Sequence, residues 1–114
     1  MVYNVYMMKR KRRSDRNHVI YKLTCIATGE TYVGLTQVYD RDANKSIHTR
    51  WLQHLSRSRT QNKSWALYDR LRKYDSAQWK VALVEIVRGK INAHARECAI
   101  MSKVHAQLNT RMAG

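Results

Sequence analysis

Residues 18–36 read HVIYKLTCIATGETYVGLT, and this stretch sets the start of the fold. Two runs rich in β-branched and aromatic residues, 19–26 and 31–36, lie on either side of a turn that contains Gly29. Runs of this kind around a short glycine turn are typical of a β-hairpin. The sequence therefore predicts two antiparallel strands here.

The register of this hairpin decides where its two tyrosines lie. If residues 28–29 form the turn, Cys25 is paired with Tyr32. Side chains alternate between the two faces of a strand, so Tyr21, Tyr32 and Gly34 are expected on one face. The phenols would still be several residues apart along the strands, and the pattern leaves open whether they meet.

A helix is predicted after a polar loop over residues 37–44. Ser46 is the expected N-cap, because a serine side chain accepts hydrogen bonds from the first free backbone N–H groups of a helix. Arg50 and His54 are four residues apart and are expected side by side on one helix face. The apolar stripe that buries this helix is expected to consist of Ile47, Trp51, Leu52 and Leu55.

Three further elements follow a polar break at residues 57–63. The sequence predicts a second helix capped by Ser64, a third strand over 79–87 and a last helix over 92–108. The expected buried side chains are Trp65, Leu67, Tyr68, Leu71 and Tyr74 in the second helix, and Ala95, Cys98, Ala99, Met101 and Val104 in the last. The order ββααβα predicts an α+β fold in which helices flank a small three-stranded antiparallel sheet.

The charge of the chain points to a polyanionic partner. Its 22 lysines and arginines against 8 acidic residues leave a formal charge of +14 in 114 residues, a length that suits one domain. Nucleic acid is the first partner to consider. Cys25 and Cys98 match no metal-binding spacing and are interpreted as reduced core residues. No stretch approaches the roughly 20 apolar residues of a membrane span, so we expect no membrane association and a cytoplasmic location.

Residues 1–17 are interpreted as a basic, flexible arm that precedes a domain over residues 18–114. A block of charge cannot bury itself, and we expect it to grip phosphates unless it is only a solvated tail. The cations of this arm that are assigned to DNA binding are Lys9, Arg10, Lys11, Arg12, Arg13 and Arg16.

Several short motifs occur in a fixed order along the chain. Val19-Ile20-Tyr21 is followed after ten residues by Tyr32-Val33-Gly34, then by Arg50-Trp51-x-x-His54 and later by Arg96-Glu97. In this order the motifs resemble those of the GIY-YIG endonuclease family. The Arg-Trp-x-x-His block is particularly similar to the nuclease domains of phage homing endonucleases. The resemblance covers about residues 18–110, although a valine stands where the family name has its first glycine.

The resemblance implies a role for each matching residue. Tyr21 and Tyr32 would line the site, one acting on the attacking water and the other holding water or phosphate. Which of them is the base stays open, because a tyrosine needs a nearby cation to lose its proton at neutral pH. Arg50 would contact the scissile phosphate, and His54 would assist a tyrosine or the phosphate. Glu97 would be the single protein ligand of one Mg²⁺ or Mn²⁺ ion.

Other positions are assigned from their location alone. Asn109 falls near the place where the family often has an asparagine that borders the site, and Arg41 competes with Arg50 for the arginine role. His94 and Glu97, three residues apart, would suit a metal pair, although a surface histidine is the more common case. The helix and loop cations assigned to DNA binding are Lys45, Arg57, Arg59, Arg70 and Arg72.

Together these features predict a metal-dependent DNA endonuclease, associated with a phage or mobile element, that nicks or cuts both strands by in-line attack of water. The alternative is a non-catalytic basic module that binds DNA or RNA and retains the fold. A chain of this length has no room for a separate sequence-reading domain. We therefore expect low specificity, a homodimer, or a separate partner that supplies the targeting.

Overall fold

The computed structural model describes residues 16–61 and 65–109. In these residues the chain forms strands β1 (Asn17–Cys25) and β2 (Thr31–Gln37), helices α1 (Ala43–Thr60) and α2 (Ala66–Lys73), strand β3 (Trp79–Arg88) and helix α3 (Lys90–Val104). Two short 3₁₀ turns, Ser76–Gln78 and Gln107–Asn109, follow α2 and α3. The expected ββααβα order and the α+β class are confirmed. The charge block at residues 9–13 and the expected cap Ser64 lie outside the described residues.

Strand β1 is the central strand of the described sheet, with β2 and β3 paired antiparallel on either side. Its side chains are buried on both faces because helices cover both. Tyr21 belongs to the face that packs against α1 and α2, whereas Ile20 packs on the opposite face with Val33 and with Ile100 of α3. A strand enclosed in this way holds Tyr21 in a fixed position beneath α1.

The hairpin turn is longer than the sequence predicted. The expected pairing of Cys25 with Tyr32 is wrong, because Tyr32 is paired with Leu23. The backbone N–H of Cys25 donates to the carbonyl of Glu30 at 2.9 Å, which closes a turn of four residues instead of two. The turn glycine takes a φ of +76°, a conformation that glycine adopts without a steric penalty. A register shift of two residues preserves the alternation of faces, so Tyr21 and Tyr32 share one face as expected.

Helix α1 begins and ends at different residues from those predicted. Asp42, not Ser46, is the N-cap, and its Oδ1 accepts a hydrogen bond from the backbone N–H of Lys45 at 2.9 Å. Ser46 lies buried in the first turn, where its hydroxyl donates to the carbonyl of Asp42 at 2.8 Å. The predicted break at residues 57–63 is also wrong at its start, since α1 continues to Thr60.

The buried face of α1 is more polar than predicted. Leu52 is 50% exposed, whereas His54 is only 2% exposed and Ser58 is also buried. Ile47 and Trp51 are buried as expected. These four buried positions are spaced by four, three and four residues, which keeps them on one side of a helix, and Leu52 lies off that side. A histidine therefore lies in the core, whereas one leucine of the expected stripe does not.

Helix α2 buries the side that was expected, whereas fewer of the expected residues of α3 are buried. Ala93 and Ile100 of α3 are buried, and α3 ends at Val104 because His105 takes the left-handed conformation with a φ of 53°. Cys25 is buried as expected. Three expected core residues of α3 are instead exposed, namely Ala95, Cys98 and Ala99. None of the described helices is both long and apolar enough to cross a membrane.

Candidate active site

Tyr21 lies in the middle of β1 and is almost fully buried, with 1% of its surface exposed. Its partner across the hairpin is Gly34. A Cβ atom at Gly34 would overlap with Cζ and Oη of Tyr21 and would lie 2.8 Å from Cε2. The missing side chain at this position therefore lets the phenol lie across β2.

The Tyr21 hydroxyl is hydrogen-bonded to His54 of α1. Oη of Tyr21 lies 2.8 Å from Nε2 of His54. Tyr32 joins this pair, since its ring centroid is 6.3 Å from that of Tyr21 and 5.5 Å from that of His54. Tyr21 and Tyr32 are diagonal neighbours on the hairpin because the turn is longer than predicted. The two rings thus converge, which the sequence had left open.

Burial keeps both members of the Tyr21–His54 pair uncharged. Burial, and after it the neighbouring Tyr32 phenol, raise the pKa of Tyr21, although Arg50 opposes them. Burial, together with the positive charges of Arg50 and Arg57, lowers the pKa of His54 from 6.5 to about 3. Nδ1 of His54 is buried and has no hydrogen-bond partner among the described residues. Leaving such a group unpaired costs roughly 1–3 kcal/mol, so the site keeps hydrogen-bonding capacity that the described fold does not use.

Two arginines of α1 make the site electropositive. Arg50 lies one turn before His54, and Arg57 lies about one turn after it. Nη1 of Arg50 donates to Oε1 of Gln53 at 3.0 Å, which restrains the guanidinium beside the site. Arg41 is exposed in the loop before α1 and does not line the pocket that Arg50 and His54 line. Of the two arginines that compete for the phosphate role, Arg50 is therefore the one at the site.

Glu97 of α3 contributes the carboxylate of the site. Its side chain is 16% exposed, and burial raises its pKa although His94 opposes this. Nδ1 of His94 lies 3.5 Å from Oε1 of Glu97. In the described part of the chain, no group of three or more His, Cys, Asp or Glu side chains is arranged to hold a metal ion. A cation here would have Glu97 as its carboxylate ligand, and one hard oxygen suits Mg²⁺, which takes waters and phosphate oxygens as its other ligands.

Asn109 holds the segment after α3 against the outer edge of β2. Its Oδ1 accepts from the N–H of Val33 at 2.8 Å, and its Nδ2 donates to the carbonyl of Val33 at 2.7 Å. Oε1 of Gln107 accepts from the N–H of Thr31 at 3.2 Å. These side-chain amides take the place of a neighbouring strand, immediately beside Tyr32.

The site is a pocket of about 390 Å³. This volume falls in the range of roughly 300–1,000 Å³ that is typical of pockets for small ligands. Its polar lining consists of Tyr32, Arg50, His54, Arg57, Glu97 and Asn109. Its more apolar lining consists of Trp65, Leu67, Tyr68, Met101 and Leu108. Four of the five residues implied as catalytic therefore line one cavity, and Tyr21 lies behind His54.

The cations assigned to DNA binding are not gathered at this pocket. Arg57 lines it, whereas Nε of Arg70 lies 2.8 Å from Oε1 of Glu30 and Arg72 donates to the carbonyl of Ser58 at 3.1 Å. The exposed cations of this set are Arg16, Lys45, Arg59 and Arg72. Those outside the described residues are Lys9, Arg10, Lys11, Arg12 and Arg13. Contact of any of these cations with DNA stays a prediction.

Sequence reasoning missed one large residue of the pocket. Trp65 was expected among the buried side chains of α2, but it is half-buried, lies just before the first residue of that helix and lines the cavity. No motif marks it. The signal in the sequence is its position outside the helix, where a side chain need not follow the buried stripe.

The hairpin, the two following helices, the third strand and the last helix form the fold of a GIY-YIG nuclease domain. Among solved structures, the chain is similar to the catalytic domain of the homing endonuclease I-TevI, with a TM-score of 0.63 and 17% identity over 81% of this chain and 92% of that domain. A glutamate-to-alanine mutant of the catalytic domain of the intron endonuclease I-TevI gives a TM-score of 0.65 and 15% identity, over 86% of this chain and 94% of that one. Comparisons with protein-family models and with curated proteins found no match. At these identities the likeness establishes the fold alone.

Proposed function

We propose that the protein is a metal-dependent endonuclease that hydrolyses phosphodiester bonds of DNA. The observation that supports this most is the meeting of Tyr32, Arg50, His54 and Glu97 in one pocket, with Tyr21 hydrogen-bonded to His54 behind them. This set offers a cation for a phosphate, polar groups for a water and a carboxylate for a divalent ion. The formal charge of +14 supports a polyanionic substrate.

In this proposal the two arginines and the two tyrosines have different roles. Arg50 binds the scissile phosphate, because its planar and permanently charged guanidinium matches the charge that develops there. Arg57 adds attraction for the same anion. Tyr32 lines the pocket and contacts the attacking water or the phosphate directly. Tyr21 is buried, so it is a positioning residue that acts through its hydrogen bond to His54.

The reaction is an in-line displacement at phosphorus. The water oxygen forms a bond to phosphorus while the bond from phosphorus to the 3′ oxygen breaks. The water gives up a proton and the 3′ oxygen takes one up, which leaves a 5′-phosphate and a 3′-hydroxyl. Glu97 would hold one Mg²⁺ or Mn²⁺ ion, and such an ion would supply positive charge that stabilises the transition state and the leaving oxygen.

Supercoiled plasmid incubated with the full chain tests this proposal. Cleavage is expected in Mg²⁺ or Mn²⁺, beginning with nicks because each chain carries one candidate site, and it is expected to stop in EDTA. Glu97→Gln should abolish cleavage while it preserves folding by circular dichroism and DNA binding in EDTA. Glu85→Gln is the matched control, because this carboxylate pairs with Arg96 at 2.8 Å and does not line the pocket.

Two results would overturn the proposal. Cleavage by Glu97→Gln at the wild-type rate would show that the carboxylate is not required for the reaction. Tight, salt-sensitive binding by the wild type without cleavage in either metal would favour the alternative, a basic module that binds nucleic acid and retains the fold.

A further inference from the structure

The apolar lining of the pocket is not all core. Leu67, Tyr68 and Leu108 are buried members of the main hydrophobic cluster, and they border the pocket from within the fold. Trp65 packs against the same cluster, but it is only partly buried and precedes the first residue of α2. Part of the Trp65 side chain therefore lines a pocket that Arg50 also lines.

Two ring contacts connect Trp65 with His54. The Trp65 and Tyr68 centroids are 5.2 Å apart with an interplanar angle of 37°, and the Tyr68 and His54 centroids are 6.2 Å apart. Trp65 is therefore two ring contacts away from His54. A phosphodiester offers no apolar surface to an indole. The apolar surfaces that come with a bound phosphate are the faces of the adjacent sugar and base.

We infer that Trp65 stacks on a nucleobase next to the scissile phosphate, and that the protein consequently prefers DNA in which this base is unpaired. The inference rests on the proposed function, in that nucleic acid is the ligand of the pocket. In a continuous duplex the faces of each base are covered by its neighbours, so stacking on a side chain requires a base that has left the stack. Aromatic stacking accepts any base, because every base has a π face.

The test separates stacking from phosphate binding by changing the ligand and the side chain together. Binding is measured in EDTA to a thymidine strand of about 15 nucleotides and to an abasic strand of equal length, which carries the same phosphates without bases. The wild type should bind the thymidine strand about 5-fold to 150-fold more tightly, the range that corresponds to about 1–3 kcal/mol for one stacked base. Trp65→Leu should bring this ratio close to one, and Trp65→Phe should retain much of it.

Trp51→Phe is the matched control, because Trp51 is buried in the core and does not line this pocket. It should keep the wild-type ratio. If Trp65→Leu fails to fold, tryptophan fluorescence decides instead: quenching by the thymidine strand should be lost in Trp65→Phe and kept in Trp51→Phe. An unchanged ratio in Trp65→Leu, or equal quenching in both phenylalanine variants, would overturn the inference.

A cleavage experiment keeps this inference distinct from the proposed activity. In Mg²⁺ the wild type should cut a duplex with a central unpaired bubble faster than a continuous duplex, and Trp65→Leu should lose that preference. If the wild type prefers the thymidine strand in EDTA but cuts neither duplex in Mg²⁺, the proposed nuclease activity is refuted and the stacking inference stands. Cleavage with a substrate preference that is the same in Trp65→Leu would refute the stacking alone.

Discussion

Lowering the pH from 7 to 5 should destabilise the fold through His54. In the folded protein, burial and the nearby Arg50 and Arg57 lower the pKa of His54 from 6.5 to about 3. Between these two values the unfolded chain binds a proton that the folded chain does not, so stability falls as the pH falls. Each pH unit below 6.5 costs about 1.4 kcal/mol, which gives about 2 kcal/mol at pH 5. The loss continues until the pH reaches the folded pKa.

The assay is urea unfolding at several pH values, with His54→Gln beside the wild type. Glutamine accepts a hydrogen bond from Tyr21 but has no proton to gain in this range. The free energy of unfolding of His54→Gln should therefore fall by about 2 kcal/mol less than that of the wild type between pH 7 and pH 5. His48→Gln, on the exposed side of the same helix, should keep the wild-type dependence. Parallel pH curves for wild type and His54→Gln would refute the reasoning.

Three further predictions concern packing, the edge of β2 and salt. Gly34→Ala should lower stability by about 1–3 kcal/mol and reduce cleavage, because its methyl group displaces the phenol it faces; urea unfolding at wild-type stability would contradict this. Asn109→Ala should lower the free energy of unfolding by about 1–3 kcal/mol, because the backbone N–H and carbonyl of Val33 lose their side-chain amide partners. An unchanged unfolding midpoint in urea would contradict this. Arg57→Ala should reduce the slope of log Kd for DNA against log salt by about one contact. Arg70→Ala should change this slope less, because the Arg70 guanidinium already pairs with a carboxylate. An equal reduction of the slope in both variants would contradict this prediction.

The alternation of side chains along a strand made the faces of the hairpin predictable. Tyr21 and Tyr32 were expected on one face from a register that proved wrong by two residues. The prediction survived because a shift of two restores the same face. Whether the rings touch depends on the length of the turn, since Tyr32 lies closer to Tyr21 when it is paired with Leu23 than when it is paired with Cys25. That length is fixed by the hydrogen bond of Cys25 with Glu30, which no sequence pattern specified.

Hydrophobicity predicted only part of the buried face of α1. Leu52 was expected in the buried stripe but is exposed, whereas His54, which was not part of the expected stripe, lies in the core. The hydroxyl of Tyr21 offers His54 a hydrogen-bond partner inside the fold, which offsets part of the cost of burying an imidazole.

By itself the sequence determined the order of strands and helices, the spacing of Arg50 and His54, and the charge of the chain, because these follow from neighbours within a few residues. Only the tertiary structure decided that Glu97 enters the same pocket as Arg50, that Asn109 braces β2 across 76 residues of chain, and that Trp65 lines the cavity. It also decided the pKa shifts of Tyr21 and His54. The physical reason is that burial and long-range contacts depend on how the whole chain packs, and local periodicity carries no information about that.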